Sequence, residues 1–191
     1  PVELDSWEFE MSALLLLKSS PAGWLLYGHG DTLYRLDPDS GQKTVLYTIP
    51  SADQRFLTDA RFSADGKYLM LWFKNEGMAI LSSDGKGELL PITDDPNQGA
   101  FAAGWAPSGS AYAFIAMDAQ TTQRGLFLVQ EPGMKPKAVQ YGFFRSVYGR
   151  NPNLNSEPTW IDWASNNTLL LLYADAEDYN NYNPVILQLG P

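Results

Sequence analysis

Short apolar runs separated by turn residues fill most of this chain. The clearest stretch holds runs at 56–63, 67–73, 77–82 and 87–93, each bounded by Gly, Pro, Asp or Ser. Similar runs lie at 12–18, 23–28, 32–37 and 43–49, and again at 100–106, 111–117, 125–130 and 135–141. A last group holds 157–164, 168–173 and 183–189. Each is rich in Leu, Val, Ile, Phe, Tyr and Trp and is of strand length. Helical i, i+3, i+4 spacing is not sustained over any window of a dozen residues, so the pattern predicts an all-β chain.

One turn recurs through these groups. Ser-Pro-Ala-Gly-Trp-Leu-Leu-Tyr (20–27), Ala-Asp-Gly-Lys-Tyr-Leu-Met-Leu (64–71) and Pro-Ser-Gly-Ser-Ala-Tyr-Ala-Phe (107–114) place Gly23, Gly66 and Gly109 43 residues apart. A fourth copy, Ala-Ser-Asn-Asn-Thr-Leu-Leu-Leu-Leu (164–172), follows 58 residues later with Asn167 at the glycine position. A period in the forties with strand-like contents predicts a β-propeller. Four blades of four antiparallel strands, lettered A to D, are expected in one domain spanning 1–191. The repeats are approximately 11–50, 56–93, 100–141 and 157–189. The last copy lacks a D strand, and residues 1–10, which largely alternate apolar with polar, are expected to close that blade beside 183–189, so that no sheet edge is left unpaired. The alternative is a fragment or half of a larger propeller. The aromatics four positions before each turn glycine (Phe62, Trp105 and Trp163) are expected to be buried between blades.

The segments 59–72 (Asp-Ala-Arg-Phe-Ser-Ala-Asp-Gly-Lys-Tyr-Leu-Met-Leu-Trp) and 104–114 (Gly-Trp-Ala-Pro-Ser-Gly-Ser-Ala-Tyr-Ala-Phe) resemble the repeats of TolB-like, WD-related β-propellers. That pattern is an aromatic, then Ser-Pro-Asp-Gly, then Lys or Arg and an alternating apolar strand. The match covers about three of the four copies; the first has Ser19 in place of the aromatic, and the fourth has lost the glycine. Family members commonly have six or more blades. The resemblance implies partner binding and an extracytoplasmic, for example periplasmic, location. It also motivates a strand-swapped dimer, two chains forming an eight-bladed ring, as the alternative to a monomer.

In an up-and-down blade the A–B and C–D turns share one end of the sheet, and the B–C and D–A loops share the other. The first set is short and regular. The second holds the long segments 50–55, 94–99, 118–124, 142–156 and 174–182. Binding residues tend to sit on such loops, held by a rigid scaffold. The segment 142–156 carries Phe143, Phe144, Arg145, Tyr148 and Arg150, and 174–182 carries Tyr179 and Tyr182 beside Asp175, Glu177 and Asp178. Aromatics with Arg and amides are the residue types that anchor protein interfaces or stack on sugars. These seven aromatic and Arg residues form the expected binding site.

Composition narrows the chemistry. A net charge of −9 over 191 residues, with no basic run, argues against nucleic acid. The run 14–17 is far too short to cross a bilayer, so membrane insertion is not expected. Zero cysteines remove disulfides, thiolate nucleophiles and cysteine–zinc sites. The chain begins at Pro1 without an initiator Met, which is read as removal of a leader or excision from something longer. His29, the only histidine, lies in Tyr-Gly-His-Gly-Asp and is read as part of a hairpin turn. Asp37-Pro-Asp-Ser-Gly41 starts like a calcium loop but lacks the distal Glu, so it too is read as a turn. No Gly-x-Ser-x-Gly elbow occurs, so the catalytic half of propeller-bearing peptidases is not found here. No enzyme activity, cofactor or metal is expected. The expected function is a non-catalytic binding or scaffolding module that engages a protein partner through the B–C/D–A face. The alternatives are carbohydrate binding or glycan hydrolysis, and a fragment of a larger multidomain protein.

Overall fold

The computed structural model describes residues 17–50, 57–73, 77–93, 100–117, 124–139, 145–146, 157–174 and 182–189. Among them are sixteen strands and no helix. Blade 1 is β1 (Leu17–Ser19), β2 (Leu25–His29), β3 (Thr32–Leu36) and β4 (Lys43–Thr48). Blade 2 is β5 (Leu57–Phe62), β6 (Tyr68–Phe73), β7 (Gly77–Ser82) and β8 (Leu90–Pro91). Blade 3 is β9 (Ala100–Trp105), β10 (Tyr112–Met117), β11 (Arg124–Val129) and β12 (Lys137–Ala138). Each of these sheets runs in sequence order. The fourth contains β14 (Glu157–Ser165), β15 (Thr168–Ala174) and β16 (Tyr182–Gln188), with β13 (Arg145–Ser146) on its outer edge. Successive strands pair antiparallel through hairpins, as the alternating runs require.

The edge assigned by sequence to residues 1–10 is filled differently where it is described. Arg145 and Ser146 pair with Ile186 and Val185, so the insertion itself supplies the fourth strand at those two positions. Residues 1–10 lie outside the described residues. The outer strands β8, β12 and β13 are two residues each, shorter than the runs 87–93 and 135–141 predict. Proline explains much of this: Pro91 and Pro136 have no N–H to give to a ladder, and proline with lysine at an edge blocks further pairing.

The tight turns are built by side chains. In blade 2, Ser63 Oγ donates to Asp65 Oδ1 (2.7 Å) and accepts the Tyr68 N–H (3.0 Å), while Asp65 Oδ1 accepts the Lys67 N–H (3.2 Å). The Gly66 N–H closes the turn on the Ser63 carbonyl at 2.9 Å, with φ +71°. The C–D turn of the same blade repeats this arrangement. Ser82 Oγ donates to Asp84 Oδ1 (2.7 Å), which accepts the Lys86 N–H (3.0 Å), and Gly85 has φ +70°. Ser-x-Asp-Gly-Lys is therefore a turn cassette used twice, at 63–67 and 82–86.

Backbone contacts gather the chain into two compact units, 1–90 and 91–191, each with its own core. In the first, Leu26, Leu33 and Leu46 of blade 1 pack with Ala60, Leu69, Leu71 and Leu81 of blade 2. In the second, Ala113, Ile115 and Leu126 of blade 3 pack with Ile161, Leu169, Leu171 and Val185 of blade 4. Each fully buried Leu or Ile contributes about 1.5–3 kcal/mol. The pre-turn aromatics do sit between neighbouring blades in two cases, but Phe62, Trp105 and Trp163 are half-buried rather than buried. They stand at strand ends, where one ring edge packs and the other reaches water. Phe62 meets Trp24 of blade 1 edge-on at 4.8 Å. Trp163 Nε1 donates to the Gly104 carbonyl of blade 3 at 2.9 Å. Trp105 is edge-on to Tyr112 of its own blade at 5.4 Å.

Two substitutions separate backbone strain from crowding. Gly85 and Gly109 share a positive φ, but a Cβ at Gly85 would lie 2.9 Å from the Leu46 carbonyl oxygen, while at Gly109 it meets nothing within 4 Å. Gly109→Ala is expected to cost about 1–2 kcal/mol from the left-handed backbone, and Gly85→Ala a further about 1–3 kcal/mol from the clash. Equal costs in urea melts would refute the contact. Trp163→Phe, which removes the indole donor while keeping a ring, should cost about 1–3 kcal/mol by the same measurement.

Candidate binding site

The expected loop site falls largely outside the described residues: Phe143, Phe144, Tyr148, Arg150 and Tyr179 all do. The backbone of the other two is described. Arg145 opens β13, and Tyr182 opens β16 opposite Ala174. Because Arg145 pairs with Ile186 and Ser146 with Val185, the chain leaves β13 heading towards the Tyr182 end of β16. That is the B–C end of blade 4. Arg145 and Tyr182 thus belong to strands of one sheet.

His29 pairs with Thr32 across a two-residue hairpin at Gly30 and Asp31, with Gly30 at φ +59°. Asp31 Oδ1 accepts the Thr32 hydroxyl (2.9 Å), and the Asp31 carbonyl accepts the Ile49 N–H (2.8 Å). At 37–41 the Asp37 carboxylate accepts the N–H groups of Ser40 (2.9 Å) and Asp39 (3.0 Å). The Ser40 hydrogen bonds, chiefly from its N–H, hold the Asp37 carboxyl below the usual range. Both segments are turns, as the sequence predicts. Among the described residues no three His, Asp or Glu side chains gather as a metal site.

The sequence reading missed an open groove of about 450 Å³ at the A–B turn end of blades 1 and 2, lined by Lys18, Ser19, Ser20, Pro21, Arg61 and Phe62. Its two cations share one carboxylate. Lys18 Nζ lies 3.2 Å from Asp59 Oδ1, and Arg61 Nε donates to Asp59 Oδ2 at 3.2 Å. The Arg61 guanidinium also stands over the Trp72 ring, 5.0 Å from its centroid, where it is held by cation–π attraction. Burial raises the Asp59 carboxyl, but hydrogen bonds from Lys18, the Ala60 N–H and Arg61 outweigh it and leave the group below its ordinary value. Phe62 and Pro21 supply the apolar part of the lining.

A sequence signal for this groove does exist. Ser19 pairs with Leu25 and Phe62 with Leu69, so Lys18 and Arg61 occupy the same repeat position. In blades 3 and 4 that position holds Gly104 and Asp162, so the cations are confined to the first two copies.

No family model matches the chain, and no curated protein matches it in sequence. Solved structures do match its architecture. The N-terminal domain of Nup159 aligns with a TM-score of 0.57 at 12% identity, over 97% of this chain and 47% of that one. The β-propeller domain of Cps50 (Swd1) from Myceliophteria thermophila aligns at 0.55 and 15%, over 94% and 55%. A prolyl endopeptidase aligns at 0.58 and 13%, over 94% of this chain but 28% of its own. An S. cerevisiae complex of dbp5 bound to nup159 also aligns, at 0.50 and 12%, over 86% and 42%. This chain spans about half the length of the first two and little more than a quarter of the third. The likeness defines the fold: this is an all-β chain of four four-stranded β-propeller blades.

The Asp59 bridges should respond to acid in one direction. With a folded value below the ordinary 3.8, the stabilisation is complete above that value and disappears as pH falls through the folded one. The pairs are largely solvent-exposed, so the contribution is under about 1 kcal/mol. The melting-temperature difference between the native chain and Asp59→Asn should shrink to nothing on acidification from neutral pH. A difference that grows in acid contradicts the sign.

Proposed function

We propose that this chain is a non-catalytic, protein-binding propeller module of the TolB-like, WD-related kind, which engages its partner through the B–C/D–A loop end. The observation that carries this reading is the direction of β13 along β16. Arg145 lies on the edge of the sheet whose strand β16 opens at Tyr182, and in sequence Tyr148 and Arg150 follow closely after Arg145. Loops rich in aromatic and Arg residues, carried on a rigid sheet, suit an interface, because affinity concentrates in a few such anchors. Arg145 and Arg150 are two of only 13 basic residues, and a local basic spot there favours an acidic group on the partner. Nup159, which shares the architecture, is bound by dbp5 in the S. cerevisiae complex. The sole histidine sits in a hairpin and the sequence has no nucleophile elbow, which favours binding over catalysis.

Once a partner is isolated by affinity capture, calorimetry on the double variant Arg145→Ala, Tyr148→Ala tests the reading. Binding should weaken by about 2 kcal/mol or more with an unchanged melting temperature. Lost stability with intact affinity per folded molecule would make the loop structural only. Saturable binding on a glycan array, abolished by Tyr179→Ala, would replace the protein partner with a carbohydrate.

A further inference from the structure

The outer strands of the four blades are not alike. Among the described residues, β8, β12 and β13 are two residues each, with Pro91 in the first and Pro136 beside the second. The outer strand of blade 1 differs. β4 runs for six residues, Lys-Thr-Val-Leu-Tyr-Thr, has no proline, and ends the sheet order beside β3. An edge of this length is a template for another strand. Blades 1 and 2 stack through sheet faces, as do blades 3 and 4, so further blades added to a face leave this edge as it is.

The ladder to β3 fixes which backbone groups of β4 point outward. The Asp37 N–H donates to the Gln42 carbonyl at 3.0 Å, which makes Asp37 and Gln42 a hydrogen-bonded pair. Such pairs alternate with non-hydrogen-bonded ones along an antiparallel ladder. Arg35 and Thr44 are therefore hydrogen-bonded to each other. Lys43, opposite Leu36, and Val45, opposite Tyr34, turn their N–H and carbonyl groups away from β3. Past Val45 the register shifts and leaves Leu46 as an extra residue, and a Cβ on Gly85 of blade 2 would lie 2.9 Å from the Leu46 carbonyl oxygen. The regular edge thus ends at Val45. Lys43, Thr44 and Val45 are all exposed, Val45 at 55%. Lysine commonly guards an edge, but Lys43 leans back over its own sheet, with Nζ 4.2 Å from the Tyr34 ring centroid and 5.4 Å from that of Tyr27.

Outward groups on either side of one residue make a short edge that is complementary to itself. We infer that β4 pairs antiparallel with β4 of a second copy of this chain, about a two-fold axis at Thr44. Lys43 of each copy then exchanges both backbone hydrogen bonds with Val45 of the other. Thr44 meets Thr44 of the second copy as the non-hydrogen-bonded pair, where side chains are closest, and Thr–Thr pairs are favourable there. Moving the axis to Lys43 would oppose two lysines. Moving it to Val45 would oppose Lys43 to Tyr47, which lies in a hydrogen-bonded pair with Leu33, because the Ile49 N–H donates to the Asp31 carbonyl two residues along the ladder. A two-fold contact uses the edge of both copies and closes as a dimer. So short a contact falls below about 1,200 Å², the range of weak and transient interfaces, so the dimer dissociates on dilution. Its test leaves the loop residues of the proposed partner site untouched, and either reading can fail alone.

Light scattering and amide hydrogen exchange, followed from about 10 μM to about 1 mM chain, test the pairing. The mass should climb from 21.2 kDa towards twice that value. Protection of the Val45 N–H should rise in step, while the Thr44 N–H, bonded within the blade, stays protected throughout. Val45→Pro removes an outward N–H and leaves the β3 ladder intact, so it should weaken the dimer by about tenfold or more with unchanged far-ultraviolet dichroism. Should that variant fail to fold, opposite charges at the axis give a second measurement. Thr44→Lys and Thr44→Glu should each dimerise more weakly than the native chain, and an equimolar mixture of the two should recover the dimer. A native chain that stays monomeric over the whole range overturns the inference. So does a dimer that neither Val45→Pro nor the two charge variants weaken, which would place the contact on another surface. A Val45 N–H equally protected at every dilution of a monomer also overturns it, because the edge would then be covered within one chain.

Discussion

Everything in this molecule follows from central strands that are apolar on both faces. Tyr68–Phe73 and Thr168–Ala174 contain four or more consecutive apolar residues, and in a pleated strand successive side chains point to opposite sides. A sheet built around such a strand has no face suited to water. It must be sandwiched, and stacking blade on blade is the arrangement that does this with short antiparallel hairpins. The cores in each unit are the result: Leu69 and Leu71 of blade 2 face Leu26 and Leu33 of blade 1, and Leu169 and Leu171 of blade 4 face Ile115 of blade 3.

The same constraint divides the sheet ends into two kinds. At one end, Ser-x-Asp-Gly-Lys turns spend their side chains on their own backbone: Asp65 and Asp84 each accept from a serine hydroxyl and from a lysine N–H. These turns have few groups left for recognition. The groove at Lys18 and Arg61 is an exception that arises where two A strands come side by side. At the other end the connections vary in length and composition, and the longest, between blades 3 and 4, is tied back to the β16 edge at Arg145 and Ser146. Architecture shared with Nup159, Swd1 and a prolyl endopeptidase at 12–15% identity shows how little sequence this stacking demands. Apolar alternation and turn chemistry suffice, and ligand choice is left to the loops.

Strand positions, hairpin turns and blade count were legible from residues alone, because all three are local. The run 77–82 is β7 without change, and 43–49 differs from β4 by one residue. Gly66 closes its turn through hydrogen bonds reaching only from Ser63 to Tyr68, so a window of six residues contains the whole device. Tertiary structure alone decided what lies beside what. The half-buried Trp163 donates its indole N–H to the carbonyl of Gly104, 59 residues away in the chain. The strand beside β16 came from within the insertion, at two residues with no strand signal of their own, since an edge is paired by whichever backbone arrives there. Lys18, Asp59 and Arg61 look like scattered surface charges in sequence and become one ion-pair cluster only because blades 1 and 2 stack in register. Local turn chemistry is written in adjacent residues; adjacency between blades is a property of the folded chain.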